Sequence, residues 1–185
     1  MKFLKFLIII FISLTTSIKA DLNKNLINKL KEGGKLIFIR HAYAPGSGDP
    51  SNFNFNDCSS QRNLSEDGRK QALYIGKFFI ENKIKIHKVL SSEWCRCKET
   101  AKIAFKNFST KSFLNSFYSA KYAKNKDKQI EALENYIKDF KSNKNLILVT
   151  HYVLISEVLN YGPSSGEIVV SDVNFNIIGN VEIKY

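Results

Sequence analysis

The sequence predicts an α/β protein: a three-layer α/β/α sandwich around a mainly parallel central sheet. Two observations carry this. Short apolar runs of strand character alternate with helical segments through most of the chain. The residues that look chemical, His41, Ser91-Ser92 and His151, fall just after those runs, where open α/β sheets bind their ligands.

The elements follow in order. Leu22, Leu26, Ile27 and Leu30 recur at helical spacing, and Gly33-Gly34 ends that helix. KLIFI (35–39) reads as a buried strand. Residues 43–63 hold Pro45, Gly46, Gly48, Pro50 and several Asn and Ser, which makes them a loop, and loops of that length are more often functional than idle. Ser65 is a good N-cap, with Glu66 and Asp67 in the first turn, for a helix whose apolar positions include Ala72, Ile75, Phe78 and Phe79. IHKVLSS (86–92) is the next strand and WCRCKETAKIAF (94–105) the next helix. DKQIEALENYIKDF (127–140) is another helix, with Ile130, Leu133, Tyr136, Ile137 and Phe140 as its buried stripe. NLILVT (145–150) is a strand, YVLISEVLN (152–160) a helix, and EIVV with VNFNIIGNVEIKY supplies closing strands.

The first twenty residues pair Lys2 and Lys5 with the apolar core Phe6–Leu14 and a small residue at Ala20, the pattern of a secretory signal peptide. An uncleaved N-terminal anchor is the alternative. Residues 21–185 then form one domain, exported to a periplasmic or extracellular space. Lys and Arg number 28 against 17 Asp and Glu, and the leader takes three lysines, leaving +8. That charge favours anionic partners at long range, but the lysines are scattered rather than blocked, which disfavours nucleic acid. No other window is apolar enough to cross a bilayer.

Only four of the basic residues are arginines: Arg40, Arg62, Arg69 and Arg96. In so lysine-rich a chain each is a candidate for bidentate anion recognition, which an ammonium does poorly. Arg69 reads as ordinary surface pairing, and Arg62 is open between the two readings. Of the three cysteines, Cys58 fits one disulfide with either Cys95 or Cys97, leaving an odd thiol, and the CRC spacing is a poor zinc signature.

Three segments converge: Arg40-His41 after the first strand, Arg96 in the helix after VLSS, and His151 after NLILVT. Two guanidiniums and two imidazoles complement a phosphoryl dianion. A neutral imidazole is a competent nucleophile toward phosphorus, and a second, protonated one can donate to the equatorial oxygens. No metal or other cofactor is called for.

These segments resemble the histidine phosphatase superfamily, which includes phosphoglycerate mutases and acid phosphatases. RHA (40–42) stands where that family usually shows Arg-His-Gly. NLSEDGRKQA (63–72), SSEWCRCKETA (91–101) and LVTH (148–151) follow in family order. HAYAPGSGDP, DCSSQRNLS and WCRC look like an exported bacterial branch. The resemblance implies a phosphoglycerate mutase-like fold, phosphorylation of His41, and phosphate binding by Arg40, His41, Arg96 and His151. The implied partner is a small phosphorylated substrate.

The departures concern the proton donor. FLNSF puts Ser116 where the mutase-like branch has a catalytic Glu, and Tyr152 follows the second histidine where the acid phosphatases have Asp. Three outcomes follow: a good leaving group, an acid supplied by Asp49, Asp57 or Glu93, or slow chemistry. The competing readings are a phosphate-binding module that has lost turnover, and a mutase, which export disfavours. His87 reads as structural or exposed, Ser91 and Ser92 as strand-end and capping residues with no base beside them, and Trp94 as core or pocket wall.

Overall fold

The computed structural model describes residues 24–184; the expected leader over 1–20, and Leu22 of the first helical stripe, lie outside them. The helices are α1 (24–32), α2 (Glu66–Glu81), α3 (Cys95–Phe105), α4 (Ala120–Ala123), α5 (Lys126–Lys138) and α6 (Tyr152–Leu159). The strands are β1 (Leu36–Arg40), β2 (Ile86–Ser91), β3 (Ser109–Thr110), β4 (Asn145–Thr150), β5 (Ile168–Ser171) and β6 (Ile177–Val181). They form one sheet in the order β3-β2-β4-β1-β5-β6. The pairs β2·β3, β2·β4 and β1·β4 are parallel, and β5 runs antiparallel to both its neighbours, so the sheet is mixed but mainly parallel.

Both sheet faces are covered, which is why β1 and β4 read as unbroken apolar runs. Alternate residues of each strand feed two separate cores. Ile37, Ile39, Ile147, Val149, Ile168 and Val170 pack under α1, α2 and α3 through Leu30, Ile75, Phe79 and Ala101. Leu36, Phe38, Leu146, Leu148 and Val169 pack under α5 and α6 through Leu133, Ile137, Leu154 and Ile155. Each fully buried aliphatic of this kind contributes about 1.5–3 kcal/mol. Hence the three layers.

Local chemistry sets the boundaries. The Ser65 hydroxyl accepts the Gly68 amide as the N-cap of α2, as its sequence predicts. Gly33 leaves α1 with a φ of 81°, and a Cβ there would lie 2.0 Å from the Asn143 carbonyl, so only glycine fits. Gly68 plays a similar part nearer the site: its missing Cβ would sit 2.0 Å from the Tyr43 carbonyl, so α2 can press onto the chain just past His41. The short β3, α4 and the two single 3-10 turns, Cys58–Ser60 and Ser112–Leu114, are elements that sequence patterning does not predict.

Among the described residues no helix is long and apolar enough to cross a membrane. Arg69 makes an exposed ion pair with Glu99 at 2.7 Å, the ordinary pairing expected of it.

Candidate active site

The sheet register builds the site. β2, β4 and β1 are adjacent and parallel, and Arg40 lies opposite Thr150 while Ser91 lies opposite Val149. The residues just past these strands therefore emerge together at one edge. Two backbone hydrogen bonds extend the pairing: His41 N–H to Thr150 O and Ser92 N–H to Val149 O, each 2.9 Å. The two imidazoles, 110 residues apart in sequence, end with ring centroids 5.5 Å apart, edge to face.

Both rings are buried, and both are held neutral. Burial lowers the pKa of His41 well below its usual value, with the positive charge of Arg96 adding to the effect. Burial and Arg96 act on His151 in the same order. Nδ1 of His41 lies 2.8 Å from the Ala42 carbonyl, which can only accept, so Nδ1 carries the proton and Nε2 the free lone pair. That lone pair faces Arg96, whose Nε–H approaches it at 3.2 Å.

His151 is held differently. Its Nε2 lies 2.8 Å from the Ser92 hydroxyl, which is 3.0 Å from Asn115 Oδ1. The Asn115 amide orientation is fixed because its Nδ2 donates to Glu93 Oε2 at 2.6 Å. Ser92 therefore gives its proton to Asn115 Oδ1 and accepts Nε2–H of His151, leaving Nδ1 as the nitrogen that takes up a proton. The sequence reading of Ser92 does not foresee this partner, a histidine 59 positions away that donates to the hydroxyl rather than acting on it as a base. Only the β2–β4 register could have revealed it. The Thr100 hydroxyl accepts the Ala42 amide at 3.0 Å and donates to Arg96 O at 2.7 Å, so it locks the strand end to α3.

Around the rings lies a cavity of about 410 Å³, with Arg40, Arg62 and Arg96 in its wall beside both histidines. The sequence brought Arg40, His41, Arg96 and His151 forward, and the structure places all four here. It adds Arg62, which resolves the open reading: this arginine is a cavity residue, fixed by Nε donating to Gly48 O at 2.8 Å and by a contact to Ala44 O. The scarcity of arginine was the one signal pointing to it. Arg40 gives Nη1 to Pro163 O at 2.9 Å, and its buried Nε has no partner among the described residues, a donor waiting for an acceptor. Burial lowers the pKa of Arg40 and Arg62, yet guanidiniums remain charged at any physiological pH.

One acid faces these cations. Asp49 takes Arg96 Nη1 on Oδ1 at 2.7 Å and Nη2 on Oδ2 at 3.2 Å, with Trp94 Nε1–H at 2.9 Å and the Arg62 amide at 3.1 Å. Burial pushes its carboxyl up, but the Arg96 bonds and charge, then Trp94 and the Arg62 amide, outweigh it and hold the pKa below the usual value. Three guanidiniums, the Lys121 ammonium, one carboxylate and two neutral imidazoles leave three positive charges in the wall, an excess that favours a phosphoryl dianion. Ser116 and Tyr152, expected at the usual acid positions, both line the cavity, and Trp94 is both core and wall. Asp57 caps a surface turn through Ser59, Glu93 is turned to Asn115, and exposed His87 packs near Phe140 away from the cavity.

The 43–63 loop forms one wall and is anchored to α3. Cys58 and Cys95 are disulfide-bonded, which selects one of the two pairings left open by the sequence, and Cys97 is the buried free thiol. Burial raises that thiol to about 12, so it stays protonated although Sγ lies 3.4 Å from His151 Nε2.

No family model matches the chain, and neither does any curated protein. Solved structures do. Phosphoglycerate mutase from Thermus thermophilus superposes with a TM-score of 0.55 at 15% identity, over 81% of this chain and 99% of that one. The chain has the phosphoglycerate mutase-like fold. The mycobacterial glucosyl-3-phosphoglycerate phosphatase, in complex with VO3, matches at TM-score 0.55 and 13% identity over 75% and 92% of the two chains. The protein histidine phosphatase SixA, complexed with tungstate, matches at 0.52 and 15% over 77% and 92%.

Proposed function

We propose that the protein is a phosphatase of the histidine phosphatase superfamily, hydrolysing a phosphate monoester or phosphoramidate through phospho-His41. The observation that carries this is the unprotonated Nε2 of neutral His41, its lone pair accepting from Arg96 Nε–H, inside a cavity lined by three guanidiniums and carrying net positive charge. His41 Nε2 attacks phosphorus in line; Arg40, Arg62 and Arg96 hold the oxygens; His151, beside them, helps stabilise the charge that develops there. Water then hydrolyses phospho-His41. The positive charge that balances the phosphoryl group comes from side chains. That two similar folds are solved with VO3 or tungstate, both oxyanions, supports an oxyanion pocket here.

Export to a periplasmic or extracellular space belongs to the same proposal. The Cys58–Cys95 bond supports it, because disulfides persist in oxidising compartments.

A second reading, a phosphate-ligand binding module without turnover, is favoured by Ser116 and Tyr152 standing at the usual acid positions. Phosphate release from p-nitrophenyl phosphate separates the two. Wild type should turn over and His41→Ala should not; vanadate binding with no turnover in wild type selects the binding module, and turnover surviving in His41→Ala overturns the phosphohistidine route.

A further inference from the structure

The reaction needs a proton donor for its leaving oxygen, and among the described residues that line the cavity Asp49 is the only carboxylate. One group joins it to the nucleophile. Arg96 gives Nε–H to His41 Nε2 at 3.2 Å and gives Nη1 and Nη2 to the two Asp49 oxygens at 2.7 and 3.2 Å. Nucleophile and carboxylate therefore lie at opposite ends of one planar guanidinium. In-line displacement puts the attacking and departing atoms on opposite sides of phosphorus. A phosphoryl group lying along the Arg96 guanidinium has His41 at one side and Asp49 at the other.

We infer that Asp49 is the proton donor to the leaving oxygen, a role that rests on the phosphatase reading above. A monoester binds as its monoanion and passes its remaining proton to Asp49, giving a bound dianion and a neutral carboxyl. The His41 Nε2 lone pair forms the N–P bond and the P–O bond breaks. Its electron pair stays on the leaving oxygen, which takes the Asp49 proton. The alcohol departs, leaving phospho-His41 and ionised Asp49. In the second half Asp49 accepts the proton of the attacking water as the N–P bond breaks and passes it to the departing phosphate, which leaves as its monoanion, returning neutral His41 and ionised Asp49. Asp49 is faced by Arg96 and the Trp94 indole from the start of α3 and by Arg62 from its own loop. With the free carboxyl ionised, the proton must arrive on the substrate, whose second ionisation lies at about 6. For a poor leaving group kcat/KM should therefore fall about tenfold per pH unit above roughly pH 6.

Benzyl phosphate, which leaves as an alkoxide, and p-nitrophenyl phosphate, whose phenolate leaves unaided, test this on one ring size. Asp49→Asn should lower kcat/KM for benzyl phosphate about 10²–10⁴-fold, the usual worth of a general acid, and for p-nitrophenyl phosphate less than about tenfold. Equal losses on both esters would make Asp49 only a positioning residue for Arg96, and no loss on either would remove it from the reaction; both results overturn the assignment. If circular dichroism shows Asp49→Asn unfolded, the wild-type pH profiles decide. A benzyl phosphate rate that does not fall above pH 6, or is absent at every pH while p-nitrophenyl phosphate is hydrolysed, also overturns it. Wild type inert toward both esters would mark the failure of the phosphatase reading instead.

Discussion

Breaking the Cys58–Cys95 bond should destabilise the protein by about 4 kcal/mol. The bond closes a loop with a sequence separation of 37 residues, and the chain-entropy relation for a loop of that size gives about 4 kcal/mol at 25 °C. For a domain of this length each kcal/mol moves Tm by about 2–4 °C, so a fall of about 8–16 °C is expected. Cys58→Ser/Cys95→Ala is the perturbation. It leaves Cys97 as the lone thiol and cannot re-pair within the chain. The assay is urea unfolding followed by circular dichroism, beside wild type with and without reductant. Reduced wild type and the double variant should agree. A loss under about 1 kcal/mol in both would refute the reasoning, because non-covalent contacts such as those of Asp49, Gln61 and the Phe53–Trp94 stack would then suffice to hold the 43–63 loop.

The remaining predictions concern the site and its supports. Arg62→Ala should weaken vanadate binding about 10–100-fold, the worth of one charge-assisted hydrogen bond, while Arg69→Ala, outside the cavity, changes it less than about twofold; isothermal titration compares them. Because His41 and His151 are buried neutral, the unfolded chain takes up protons below its histidine pKa of about 6.5 that the native state refuses. Stability is complete above that pH and should fall by up to about 2.7 kcal/mol per pH unit below it, until the lowered native pKa values are reached. Urea midpoints at pH 7, 6 and 5 measure this, and Asn at both positions should flatten the slope. Gly68→Ala should cost about 1–3 kcal/mol in the same assay, since its Cβ would meet the Tyr43 carbonyl and push α2 away from the strand end.

What could be read from the sequence, and what could not, divides by range. β4 is NLILVT as its apolar run suggests, and Ser65 caps α2, because burial on both faces and capping are local signals. The fold's parallel core followed from the alternation of such segments. The β3 strand of two residues and the four-residue α4 carry too few positions to show a period. The site was legible in its four strand-end residues and not in their neighbours. Ser92 meets His151 only through sheet register, and Arg62 reaches the cavity only because Gly48 and Ala44 carbonyls hold it inside the loop. Asp49 stood among three candidate acids until the Arg96 fork singled it out.

Acid-quench trapping with a 32P-labelled phosphomonoester tests the central claim most directly. Wild type should give a protein-bound phosphate that is acid-labile and stable to alkali, located by peptide mapping at His41 and absent from His41→Ala. Turnover in wild type with no such adduct, or label found at Ser92 or another residue, would contradict it.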